Sequence, residues 1–146
     1  MKVKLLVFAV AGVLVVAAAA SAARLDVIYG TPGADTLAGT TGADVIYARA
    51  GSDTVRGRAG NDVLYGGAGN DVMWPGSGVD VQYGGMGNDV LHALANDNQP
   101  DILDCGPGFD TAIVIEHDPA RFRGCEQIVR LSPGEAAALA ASGDDS

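Results

Sequence analysis

Positive charge, aromatic rings and cysteine are all scarce in this chain, and each scarcity removes a class of protein. Lysine occurs only at Lys2 and Lys4; beyond them seven arginines face 18 acidic residues, and the formal net charge is −9. No basic patch exists to neutralise phosphates, which argues against nucleic acid and anionic membrane surfaces as partners. Aromatic residues are 5% of the 146, while glycine occurs 21 times, so a thick side-chain core is not expected. Something besides hydrophobic burial must hold such a chain together. The two histidines, His92 and His117, lie far apart, and neither a CxxC pair, an HExxH nor a GxSxG is present. Catalysis by a zinc or hydrolase motif is therefore not expected.

Long apolar runs are missing too, with one exception. Leu5 to Ala20 holds only apolar residues and glycine, follows Lys2 and Lys4, and leads into Ala20-Ser21-Ala22. A basic start, an apolar centre and a small-x-small end are the pattern of a cleaved export signal, and the run is short of the roughly 20 residues a membrane span needs. Residues 1–22 are thus expected to be removed, which leaves a secreted, still more acidic chain with no membrane span.

What remains is periodic. Aspartate recurs every nine residues at Asp26, Asp35, Asp44, Asp53, Asp62, Asp71, Asp80 and Asp89. Two positions before each one from Asp35 onward stands Gly33, Gly42, Gly51, Gly60, Gly69, Gly78 or Gly87. Two positions after stand Ile28, Leu37, Ile46, Val55, Leu64, Met73, Gln82 and Leu91, and only Gln82 is polar. A flexible glycine-rich linker would not keep an apolar residue in fixed phase with aspartate. Each unit reads as a six-residue glycine turn and a three-residue strand with one side chain inward. Such units bury their apolar residue only by stacking, which gives a solenoid with two thin parallel sheets and turns along both edges.

Gly66-Gly67-Ala68-Gly69-Asn70-Asp71-Val72-Met73-Trp74 and Gly84-Gly85-Met86-Gly87-Asn88-Asp89-Val90-Leu91-His92 resemble the RTX, or haemolysin-type, repeat G-G-x-G-x-D-x-U-x. Gly57 to Tyr65 differs by Arg58 at the second glycine, and the units opening at Gly30, Gly39, Ala48 and Pro75 are looser. The resemblance spans Gly30 to His92 and implies an all-β parallel β-roll that binds several Ca²⁺ ions between turns two units apart on one edge. Carried over residue by residue, Asp44, Asp62 and Asp80 share one edge, and Asp35, Asp53, Asp71 and Asp89 the other. Turn backbone at Gly33, Gly42, Gly51, Gly60, Gly67, Gly69, Gly76, Gly78, Gly85 and Gly87 completes the implied sites. Asp26 is in phase but lacks the preceding turn. Calcium suits the donors, since it takes six to eight oxygens at flexible geometry, whereas magnesium demands a tight octahedron. Aspartate can also serve a turn only by bonding its own backbone. Most RTX proteins leave by a C-terminal signal; the N-terminal pattern here departs from that.

A full coil takes two units, so Tyr29, Tyr47, Tyr65 and Tyr83 fall in one outward column, with Val27, Val45, Val63 and Val81 beside it. That column reads either as stacking that steadies the coil or as a face for a glycan, a protein or a second copy. After Leu91 the phase slips: Asn98 stands where aspartate is due, and Asp101-Ile102-Leu103 resumes three residues late. Cys105 and Cys125, the only cysteines of an exported chain, are expected to pair. Cys105-Gly106-Pro107-Gly108-Phe109-Asp110 with Cys125-Glu126 is similar to the ends of small secreted RTX-like proteins, where it would cap the open solenoid. Ser132-Pro133-Gly134-Glu135 has capping-box spacing before an alanine-rich helix. The expected organisation is an export segment at 1–22, a β-roll at 23–113, a cap at 114–131, and a short helix with a tail at 132–146.

Overall fold

A strand begins at or directly after each repeat aspartate. The residues there are β-branched or aromatic (Val45-Ile46-Tyr47, Val63-Leu64-Tyr65), and the glycine turns between them let the chain reverse. The computed structural model describes residues 25–95 and 97–142; the expected export segment lies outside them. The elements are β1 (Asp26–Tyr29), β2 (Thr36–Ala38), β3 (Asp44–Ala50), β4 (Thr54–Ala59), β5 (Val63–Ala68), β6 (Val72–Ser77), β7 (Val81–Met86), β8 (Val90–Ala93), β9 (Ile102–Asp104), β10 (Thr111–Ile115), β11 (Arg121–Arg123), β12 (Gln127–Leu131) and α1 (Pro133–Ser142).

Odd-numbered strands form one six-stranded sheet in the order β1-β3-β5-β7-β9-β11, and even-numbered strands form the other in the order β2-β4-β6-β8-β10-β12. Every pair is parallel, and through β7 and β8 each residue pairs with the one 18 positions on, as in Val45↔Val63↔Val81 and Thr54↔Val72↔Val90. This is the expected parallel β-roll. Strands β3 to β7 are longer than three residues, however. Pairing runs on past Tyr47 to Arg49↔Gly67 and Ala50↔Ala68, because the first half of each turn stacks on the next turn in the same register.

The core is one side chain wide. Leu37, Ile46, Val55, Leu64, Met73, Leu91, Leu103 and Ala112 are fully buried at the inward position of successive strands. Gln82 takes the same place and is equally buried; its Nε2 donates to the His92 carbonyl at 2.7 Å. That bond satisfies the amide nitrogen, while Oε1 is buried without a hydrogen-bond partner among the described residues. His92 stacks on Trp74 with ring centroids 3.4 Å apart and lies 3.0 Å through Nδ1 from the Met73 carbonyl. Burial holds its imidazole down at about 4.

The two sheets continue through the chain's later strands. The late resumption at Asp101 appears as a three-residue insertion: Val81 pairs with Ile102, and Val90 with Thr111, 21 positions on. Phe122, in register with Leu103, is 36% exposed, so the last coil opens to solvent. Cys105 and Cys125 form a disulfide with Cα atoms 5.2 Å apart. Closing a loop of 20 residues is worth about 3 kcal/mol in the chain-entropy account. Denaturant unfolding of the Cys105→Ser/Cys125→Ser variant in saturating calcium is expected to read a loss of that size. Ser132 and Glu135 make the reciprocal capping box, with Ser132 N–H donating to Glu135 Oε2 at 2.9 Å and Glu135 N–H to Ser132 Oγ at 3.4 Å. The helix buries Ala136 against the final coil.

Candidate metal centre

Along each edge the repeat aspartates form a ladder of carboxylates. One oxygen of each accepts the backbone N–H of the aspartate one coil earlier: Asp35 N–H to Asp53, Asp53 to Asp71 and Asp71 to Asp89 on one edge, at 2.7, 2.8 and 2.8 Å. On the other edge Asp44 donates to Asp62 at 2.8 Å and Asp62 to Asp80 at 2.7 Å. The ladders divide the aspartates between the edges as the repeat spacing implies. They also run further than the nine-residue period: Asp80 donates to Asp101 at 2.9 Å, Asp89 to Asp110 at 2.7 Å, and Asp110 to Glu126 at 2.8 Å. Asp101, Asp110 and Glu126 therefore belong to the ladders, although the nine-residue count misses them. Asp26 meets Asp44 through a backbone bond that lowers its carboxyl and a carboxylate that raises it.

The second oxygen is the chemically open one. Oδ2 of Asp53, Asp62, Asp71, Asp80, Asp89 and Asp110 is buried and has no hydrogen-bond partner among the described residues. A buried carboxylate oxygen without a partner is costly, and a cation or a proton is what offsets that cost. Burial pushes the carboxyls of Asp53, Asp71, Asp80 and Asp89 up to about 6, and those of Asp62 and Asp101 up to about 7. The backbone bond to each pulls the other way, and the neighbouring carboxylates on the ladder add to the rise.

Turn carbonyls meet the bare oxygens. A side-chain carbon on Gly66 would lie 2.5 Å from both Asp71 Oδ2 and the carbonyl oxygen of Gly84 in the next turn on that edge. The same convergence recurs off Gly57, between Asp62 Oδ2 and the Pro75 carbonyl. The turn glycines are held where the geometry needs them. Gly69 has φ +126° and Gly76 φ +98°, and each backs directly on the carbonyl of the preceding coil, Gly51 and Arg58 respectively. Any side chain there meets both strain and a backbone clash. Arg49 and Arg58 take the second-glycine place at φ 85°, one coil after Thr31 and Thr40. Gly33, in the first of those turns, is not left-handed.

Among the described residues no three or more His, Cys, Asp or Glu side chains form a metal-holding group by themselves. The available donors are one carboxylate per turn plus backbone carbonyls, an all-oxygen set of the kind hard Ca²⁺ takes and zinc does not. The four tyrosines stack in one column with centroids 5.2, 4.7 and 4.9 Å apart. Arg49 sits over Tyr29 at 5.2 Å. His117 lines a small pocket with Asp118 and Pro133.

A two-sheeted parallel solenoid with aspartate ladders on both edges defines a class of repeat protein. Residues 29–63, 49–82 and 83–99 match the family described as the RTX calcium-binding nonapeptide repeat. The chain belongs to that family through these coils and is a calcium-binding repeat protein. No curated protein and no solved structure matches it.

Proposed function

We propose that Ca²⁺ ions lodge between successive turns on both edges, drawing on the aspartate ladders and the turn carbonyls, and that the protein is a secreted structural or surface-associated module with no catalytic role. The carrying observation is the set of buried carboxylate oxygens with no hydrogen-bond partner among the described residues. A bound divalent ion supplies the charge that satisfies them and reverses the repulsion between neighbours on a ladder. The disulfide and the export-like N-terminal segment support an extracellular setting, where millimolar calcium matches the weak sites common in extracellular modules, about 10⁻⁴–10⁻³ M. Calorimetric titration of the chelator-treated chain is expected to show saturable uptake of calcium and at least tenfold weaker uptake of magnesium. No uptake at millimolar calcium overturns the reading.

The alternative is an adhesin-like binder acting through Tyr29, Tyr47, Tyr65 and Tyr83, for which the exposure of Tyr83 and the adjacent Ile102 speaks. The stacking speaks against a glycan there. Rings 4.7–5.2 Å apart and within 12° of parallel cover each other's faces, and sugars bind faces. Tyr65→Ser breaks two ring contacts, each worth about 0.5–1.5 kcal/mol, so a stability loss of about 1–3 kcal/mol is expected with no change on a glycan array. Lost glycan binding without lost stability would favour the adhesin.

A further inference from the structure

We infer that the calcium sites are unequal and that tight binding is confined to three gaps, those opened by Gly57, Gly66 and Gly84, whose carboxylates are Asp62, Asp71 and Asp89. This rests on the calcium reading above and goes on to say where the ions lie. Two independent features separate these gaps from the rest.

The first is the residue that opens each turn. At Gly57, Gly66 and Gly84 the space off Cα is where the bare Asp oxygen and the next turn's carbonyl converge: Asp62 with Pro75, Asp71 with Gly84, and Asp89 with Cys105. Hydrogen in place of a side chain keeps that space clear. Ala48, Pro75 and Cys105 stand at the same station, since the register pairs Arg49 with Gly67, Arg58 with Gly76 and Tyr83 with Asp104. Ala48 and Cys105 are fully buried, and Pro75 is buried as well. Each brings a carbon into the region that its neighbours' glycines leave free, so Asp53, Asp80 and Asp110 share their cradle with apolar atoms. At Cys105 the bond to Cys125 already ties the last two turns of that edge together.

The second feature lies at the other end. Asp35 accepts the Thr31 N–H at 2.5 Å and the Thr31 hydroxyl at 3.0 Å, while that hydroxyl accepts the Gly33 N–H at 3.2 Å. Asp44 repeats the arrangement with Thr40, at 2.5 and 3.1 Å, and the Thr40 hydroxyl accepts the Gly42 N–H at 3.1 Å. A hydroxyl therefore stands at the centre of the first turn on each edge and satisfies the carboxylate within that turn. Neither oxygen of Asp35 or Asp44 is left bare, in contrast to the aspartates further along. Threonine closes the solenoid at its start, a disulfide closes one edge at its finish, and ions are needed between.

Counting tightly bound calcium on the purified chain, by native mass spectrometry beside calorimetry, tests this. Three ions per chain are expected, with four for Ala48→Gly and two for Gly66→Ala. Ala48→Gly removes only a methyl group, so it decides the matter even where Gly66→Ala fails to fold. An unchanged count in Ala48→Gly, or five or more equivalent ions in the parent chain, overturns the inference while leaving calcium binding intact. No calcium uptake at all sinks the underlying reading instead.

Discussion

In excess EDTA at pH 7.5 the chain is expected to lose most of its β-sheet signal in far-ultraviolet circular dichroism, and to regain it when calcium is restored. Neighbouring coils stack at about 4.8 Å, and two carboxylates about 5 Å apart repel by roughly 3 kcal/mol at an effective dielectric of about 20. The ladders Asp35-Asp53-Asp71-Asp89-Asp110-Glu126 and Asp44-Asp62-Asp80-Asp101 contain several such neighbours. A domain of this size is stable by only about 5–15 kcal/mol, so these repulsions together with the bare oxygens are enough to unfold it. The core offers little resistance, being a single file of side chains. A spectrum that does not change on chelation would mean that the file of Leu, Ile and Val, with the disulfide, carries the fold alone.

Acid is expected to replace calcium. With the chain still in EDTA, lowering the pH from 7.5 to 5 should restore part of the β-sheet signal. The sign follows from the ladders. Six aspartates have folded-state values of about 6 to 7 against an ordinary 3.8, so the folded chain holds more protons than the unfolded one across that interval. Their contribution to stability is fully present below 3.8 and is lost as pH rises through about 6 to 7. His92 works in the opposite direction: held at about 4 against an ordinary 6.5, it favours folding above 6.5 and loses that contribution as pH falls through 4. One histidine opposes six aspartates, and at pH 5 the aspartates prevail. The same protons compete for the bare oxygens, so calcium affinity should drop over the same interval. A chelated chain that stays unstructured at pH 5, still above its isoelectric point of about 4.3, would contradict this.

Much of this architecture is legible in the letters because one period governs both chemistry and packing. The nine-residue aspartate phase predicts the sheets, the inward residues from Leu37 to Leu91, the division of carboxylates between edges and the tyrosine column. Asp101 and Asp110 escape the count because three inserted residues shift their phase, although the Asp101-Ile102-Leu103 triplet carries the signal. Glu126 escapes because it is neither aspartate nor in phase; only the pairing of β10 with β12 brings it under Asp110. The threonine turns are hidden for a different reason. Thr31 and Thr40 occupy the second-glycine place and read as degenerate repeats, yet their hydroxyls bond carboxylates of the kind that stay unpartnered further along. Gln82 reads as a flaw in the core, and its Nε2 bond to the His92 carbonyl on the opposite sheet offsets only half of its amide.

The pairing of each residue with the one 18 places on has a consequence for how such a chain can change length. Removing one complete coil from the regular region rejoins like with like: carboxylate rows close up, the tyrosine file shortens by one ring, and both ends keep their closures. Removing a single nine-residue unit also leaves the aspartate spacing intact, but it exchanges the two sides of everything downstream. Tyr83 would then lie over the column of Arg56 and Trp74, and the disulfide would move to the opposite rim. The array is a ruler marked in nines that can be cut cleanly only at every second mark.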